Sequence, residues 1–138
     1  MKYLTLIAIS LLFVFSIHSS NLNLTKEGTN RCSRFHTGVF DNVCKSGHSS
    51  KFKRYPTYQL QEYMSMFLKE KIVWTGPCSY QVTLLETNDP EMIDYIGNSI
   101  KVKIMKIEKS SYQTLEEGSS GNISTCTETK IGEINSKL

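Results

Sequence analysis

Ser99-Ile100-Lys101-Val102-Lys103-Ile104-Met105-Lys106-Ile107 is the stretch that decides the fold. Side chains of an extended chain alternate between two faces. Here Ile100, Val102 and Ile104 fall on one face, and Lys101 and Lys103 on the other. That pattern predicts a strand with one buried and one wet side. The alternation slips at Met105 and Ile107, which predicts a bulge or a strand leaving its sheet.

Upstream, Cys78 to Glu86 alternates in the same way, with Tyr80, Val82 and Leu84 opposite Gln81 and Thr83. Lys71 to Trp74 is apolar and β-branched, and is broken by Thr75, Gly76 and Pro77. Lys51 to Tyr55 stops at Pro56, which cannot donate to a sheet ladder. Phe35 to Cys44 reads as a first strand, closed by Ser46, Gly47, His48 and Ser49. Downstream, Ser111 to Glu116 and Ile123 to Ile131 are divided by Gly118, Ser119, Ser120 and Gly121. One short helix is expected after Asp89 as cap, with Pro90 at its first position, Glu91 against the dipole and Gly97 as its end.

Residues 58–69 fit two periods. Leu60, Tyr63, Met64, Phe67 and Leu68 have amphipathic-helix spacing, whereas a strand would put Tyr58, Leu60, Met64, Met66 and Leu68 on one face. Flanking strands favour the strand, because sequential strands tend to pair. The expected fold is all-β: seven to eight short antiparallel strands in a meander, as a curved sheet or a small lipocalin-like barrel, with one short helix.

Lys2 and the apolar run from Leu4 to Ile17, followed by Ser16, Ser19 and Ser20, read as a signal peptide over residues 1–20. The run is about 14 residues, short of the ~20 that span a bilayer. Residues 21–31 read as a flexible polar lead, and residues 32–138 as one β-rich domain. About 118 residues remain after cleavage, enough for one core. An exported protein without a stable membrane anchor is expected, periplasmic or secreted. Losing Lys2 lowers the formal net charge of +3 by one, too mild a balance to argue for nucleic acid. Cys32, Cys44, Cys78 and Cys126 all follow the signal peptide, and in an oxidising compartment they predict two disulfides with three possible connectivities.

Chemistry-bearing motifs are few. His36, His48 and Cys44 match no zinc spacing and read as surface histidines beside a disulfide cysteine. No Gly-x-Ser-x-Gly elbow occurs, and paired cysteines are not nucleophiles. Asp89, Glu91 and Asp94 are explained by a helix cap and a solvated first turn, since a hard-cation loop needs more oxygen ligands. Lys51-Phe52-Lys53-Arg54-Tyr55 could bind an anionic polymer, but lysines also guard exposed strands. No catalytic, metal or cofactor residues are expected.

Cys32-Ser33-Arg34-Phe35-His36-Thr37-Gly38-Val39-Phe40 resembles the Cys-x-x-Phe-x-Thr-Gly-x-Phe opening of small exported proteins from Bacteroidetes. Arg54, Gln59, Val73-Trp74, Cys78-Ser79-Tyr80, Ile96-Gly97 and Lys130-Ile131 fall where that family has its later motifs. The likeness runs from about Cys32 to Ile131. It departs from the family in lacking a lipidation cysteine and in carrying Gln61, followed by Glu62, where the family has Glu. Some members bear a topoisomerase label, which a small exported β domain cannot justify, and the family implies no activity. The resemblance implies Cys32–Cys78 as the family pair, leaving Cys44–Cys126. In a barrel, Cys44 and Cys126 would lie on the neighbouring first and last strands.

Three function classes follow. A non-enzymatic exported module would contact an unknown protein or envelope polymer on its outer face. A lipocalin-like carrier would hold a small apolar ligand against Leu60, Met64, Trp74, Tyr80, Val82 and Ile104, since the inner face of a small barrel is both core and pocket. An extracytoplasmic enzyme comes last.

Overall fold

The computed structural model describes residues 31–134. The signal-peptide reading and all of the polar lead but Arg31 lie outside the described residues. Eight strands run in chain order: β1 (Gly38–Cys44), β2 (Ser49–Arg54), β3 (Tyr58–Tyr63), β4 (Met66–Gly76), β5 (Ser79–Thr87), β6 (Ser99–Ile107), β7 (Ser111–Glu117) and β8 (Ile123–Gly132). Each pairs antiparallel with the next, and β8 returns to β1 to close a barrel. Closure removes the unpaired edges that an open sheet would expose.

The alternation in β6 sets the inside and outside as expected. Val102 and Ile104 are buried, Lys101 and Lys103 exposed, and the register with β7 shifts between Ile104 and Lys106. Tyr80, Val82 and Leu84 point inward from β5. The expected helix is shorter than a helix: a 3₁₀ turn, Ile93–Tyr95, lies within the β5–β6 connection. Asp89 does not cap it: Met92 holds the N-cap position without a side-chain bond, and Asp89 Oδ1 instead accepts the Glu91 N–H at 2.9 Å in the turn that precedes it. Phe35 is not in the first strand. It follows a helical turn at residues 31–33 and folds under the barrel, where it is buried.

Residues 58–69 are extended, but as two strands. Met64 (φ 44°) and Ser65 (φ 67°) form a two-residue turn between β3 and β4. The turn overturns the single-face reading. Leu60 pairs in register with Lys53 and Lys69 and faces outward, while Gln59 is buried. Met64 stands at the hairpin tip, 84% exposed.

Strand direction gives the barrel two unlike ends. The β2–β3, β4–β5 and β6–β7 turns lie at one end with the start of β1, and the described chain before β1 plugs that end. Phe35 packs on Tyr112 (ring centroids 4.6 Å apart), and Phe40 stacks on Phe52 at 4.9 Å. Fully burying a Phe stabilises by roughly 1.5–3 kcal/mol, so this aromatic floor is a main part of the core. The Cys32–Cys78 disulfide fastens the plug to the β4–β5 turn, and Cys44–Cys126 joins β1 to β8 across the closing seam. This is the pairing that the resemblance implies. Gly38 permits the seam to close: its φ is +142°, and a Cβ there would come within 2.5 Å of Lys130 Cε and 3.0 Å of the Gly132 carbonyl. At the opposite end lie the β1–β2 loop, the Met64–Ser65 turn, the β5–β6 connection and the β7–β8 loop, which together form the barrel mouth.

Candidate functional site: a polar barrel interior

The inward face is not uniformly apolar. In β2, Phe52 and Arg54 point in and Lys51 and Lys53 point out. The basic-aromatic run is therefore split between two faces and does not make one cationic surface. Arg54 is fully buried and lies opposite Gln59, which lies opposite Glu70. The row Arg54–Gln59–Glu70 thus crosses β2, β3 and β4 inside the barrel.

Arg54 has five N–H donors, and five bonds occupy them. Nε donates to Gln59 Oε1 at 3.0 Å. Nη1 donates to the Phe35 carbonyl (3.3 Å) and the Tyr112 hydroxyl (2.7 Å). Nη2 donates to the Tyr80 hydroxyl (2.8 Å) and Glu128 Oε2 (3.1 Å). Tyr112 and Tyr80 in turn donate to Glu128. The guanidinium carbon also lies 4.7–5.1 Å from the ring centroids of Phe40, Phe52 and Tyr80. Burial opposes the Arg54 charge, but its Tyr112, Tyr80 and Glu128 neighbours outweigh that penalty and raise its pKa. Burial pushes the Tyr80 and Tyr112 hydroxyls well above their usual range, although Arg54 pulls the other way. Those hydroxyls stay protonated and can donate. This network is satisfied within itself and forms a rigid floor.

Above the floor lies a cavity of about 230 Å³, room for roughly eight waters at ~30 Å³ each. Its polar wall carries Gln59, Gln61, Glu70, Glu116 and Glu128, and Leu68, Val82, Ile100 and Val102 supply an apolar wall. Glu70 is held to Gln59 Nε2 at 2.7 Å. Burial raises its pKa and the Glu128 charge adds to this, while the Gln59 bond and Arg54 oppose it. Glu116 accepts from Thr114 at 3.3 Å. Burial, then the Glu128 charge, push its pKa up to about 7.

The mouth is built from His48, Tyr63 and Met92. His48 meets Tyr63 edge-on at 5.5 Å, and the Tyr63 hydroxyl donates to Asp89, fastening β3 to the β5–β6 connection. Burial and this bond raise the Tyr63 pKa to about 12. Outside, a shallower groove of about 930 Å³ runs between the β1–β2 loop and the Met64–Ser65 turn. It shares Asn42, His48 and Tyr63 with the cavity but is otherwise lined by outward side chains such as Asp41, Lys51 and Glu62, so it lies on the outer wall beside the rim.

Of the six residues expected to line a pocket, Tyr80 and Val82 do so, and Ile104 belongs to the packed core. Trp74 lies at the plugged end under the His36 ring, 3.5 Å between centroids, with its buried Nε1 unpartnered. Leu60 borders an outer groove with Tyr58, Lys69 and Leu85, and Met64 is at the hairpin tip. His36 and His48 sit at opposite ends of the barrel, and Cys44 is in its disulfide. Pattern reading missed Glu70, Glu116 and Glu128, because a polar residue at an alternating position is assigned to solvent. Arg54, Gln59 and Tyr80 are joined here through the Arg54 guanidinium.

No family model matches the chain, and no curated protein or solved structure matches it either. Among the described residues no helix is long and apolar enough to cross a membrane.

Proposed function

We propose that this chain is an exported binding protein that holds one compact, polar small molecule inside its barrel. The observation that carries the reading is the cavity itself. Polar groups from four strands (Gln59 and Gln61, Glu70, Glu116, Glu128) converge on one cavity, open at the mouth, above a self-satisfied floor. Ligand sites characteristically combine an apolar wall with a few convergent polar groups and perturbed carboxyls. The acid-rich lining favours a polar ligand over the small apolar one expected from the sequence. Export is supported by the two disulfides, which persist in oxidising compartments. A second reading is a protein or polymer partner docking at the mouth. In its favour are Met64, Ile93, Tyr95 and Ile96, exposed apolar side chains on mouth loops.

Native mass spectrometry of the protein purified from its own host, with an organic extract analysed alongside, tests the carrier reading. The expected result is a near-stoichiometric adduct of one small polar molecule. A bare chain mass at every protein concentration, with nothing enriched in the extract over a matched control protein, would overturn it.

A further inference from the structure

The donor and acceptor balance of the cavity narrows the ligand. Every Arg54 N–H is bonded within the floor, so this cation, the one buried among the described residues, offers nothing upward. Gln59 is likewise engaged at both ends, accepting from Arg54 and donating to Glu70. What lines the cavity is the carboxyls of Glu70 and Glu116 with the amides of Asn42 and Gln61, while the Glu128 oxygens accept from the floor. Opposite them is the apolar wall. A ligand with N–H donors and positive charge at one end and an apolar body at the other fits both walls.

Resting on the carrier reading, we infer that the ligand is a small organic ammonium, its charged head between Glu70 and Glu116 and its apolar body against Val82, Ile100 and Val102. An anionic ligand would add a like charge to an acid-lined, desolvated space. A neutral alcohol would supply a single donor and could not replace the Glu116 proton with a counter-charge. The groups facing Glu116 are Glu128 from β8, Glu70 from β4 and Arg54 from β2, with Tyr80 from β5 and His48 at the mouth. The surplus of acids over Arg54 holds the Glu116 proton until a cation arrives, so binding an ammonium displaces that proton. Affinity for the cation therefore falls as pH drops through about 7, where Glu116 becomes protonated in the empty site.

Isothermal titration with three probes of matched shape, benzylamine, benzyl alcohol and benzoate, tests the inference. Benzylamine should bind at least about tenfold more tightly than the alcohol, the size of one charge-assisted hydrogen bond, and benzoate most weakly. Glu116→Gln is isosteric and should retain alcohol binding, showing an intact cavity, while losing the amine preference and its pH step. Equal affinities for amine and alcohol, or benzoate binding most tightly, would overturn the ammonium but leave the carrier reading standing. No binding of any probe to the natural protein at millimolar concentration would overturn both.

Discussion

Arg54 is the most fully enclosed charged side chain described, and its neighbours explain why it is tolerated. Removing one member of a buried ion pair leaves the other desolvated, at a cost of about 3–5 kcal/mol. Arg54→Met should therefore destabilise the protein by about that amount in urea unfolding. Adding Glu128→Gln should recover part of the loss. An unchanged unfolding midpoint in Arg54→Met would mean that the floor is not what holds the plugged end. Glu116 gives a prediction of opposite character. Its pKa rises from 4.5 in the unfolded chain to about 7 in the folded one, so between those values the folded state binds more protons. Stability from this residue is thus fully present below pH 4.5 and is lost as pH rises through about 7. Glu116→Gln should flatten that part of the stability–pH curve and be more stable above it by about 1–2 kcal/mol, allowing for partial exposure. A parallel curve for the two proteins would contradict the buried-carboxyl account.

Among elements, β6 and β3 mark the limits of what the sequence discloses. In β6 the inward residues are Ile and Val and the outward ones Lys, so chemistry and orientation agree, and the slip at Met105 foretells the register shift. In β3 the two disagree. Gln59 points inward because Arg54 and Glu70 await it on either side, and Leu60 points outward to an outer groove that Tyr58 and Lys69 also line. No local pattern can reveal an interior whose polar members satisfy one another across strands. The β3–β4 turn was hidden for a related reason. Two-residue hairpin turns with positive φ favour Asn-Gly, and Met64-Ser65 carries no such signal. Its left-handed backbone costs roughly 1–2 kcal/mol per residue. Met64→Asn with Ser65→Gly should raise stability by about 1–2 kcal/mol in thermal unfolding with the barrel unchanged. A loss of stability would show that the Met64 side chain contributes more at the mouth than the strain costs.

For the whole molecule, a meander closed on itself leaves two ends to manage, and the two are treated differently. The plugged end is filled by aromatic rings, held by the Cys32–Cys78 bond and sealed by the Arg54 floor. The mouth is left to loops, with His48, Tyr63 and Met92 bordering the cavity. The antiparallel meander was legible from strand count and turn spacing, whereas its closure stood open between a curved sheet and a barrel. The acid-lined interior was not, since it arises only when β3, β4, β7 and β8 are brought around one axis. Whether that interior is a binding site is decided most directly by a crystal structure of the protein purified from its own host, with ordered solvent resolved. A compact molecule larger than water should lie between Glu70, Glu116 and the Val82–Val102 wall, with the five Arg54 bonds unchanged. A cavity holding only water, with a host molecule bound instead on the outer face, would contradict the carrier reading.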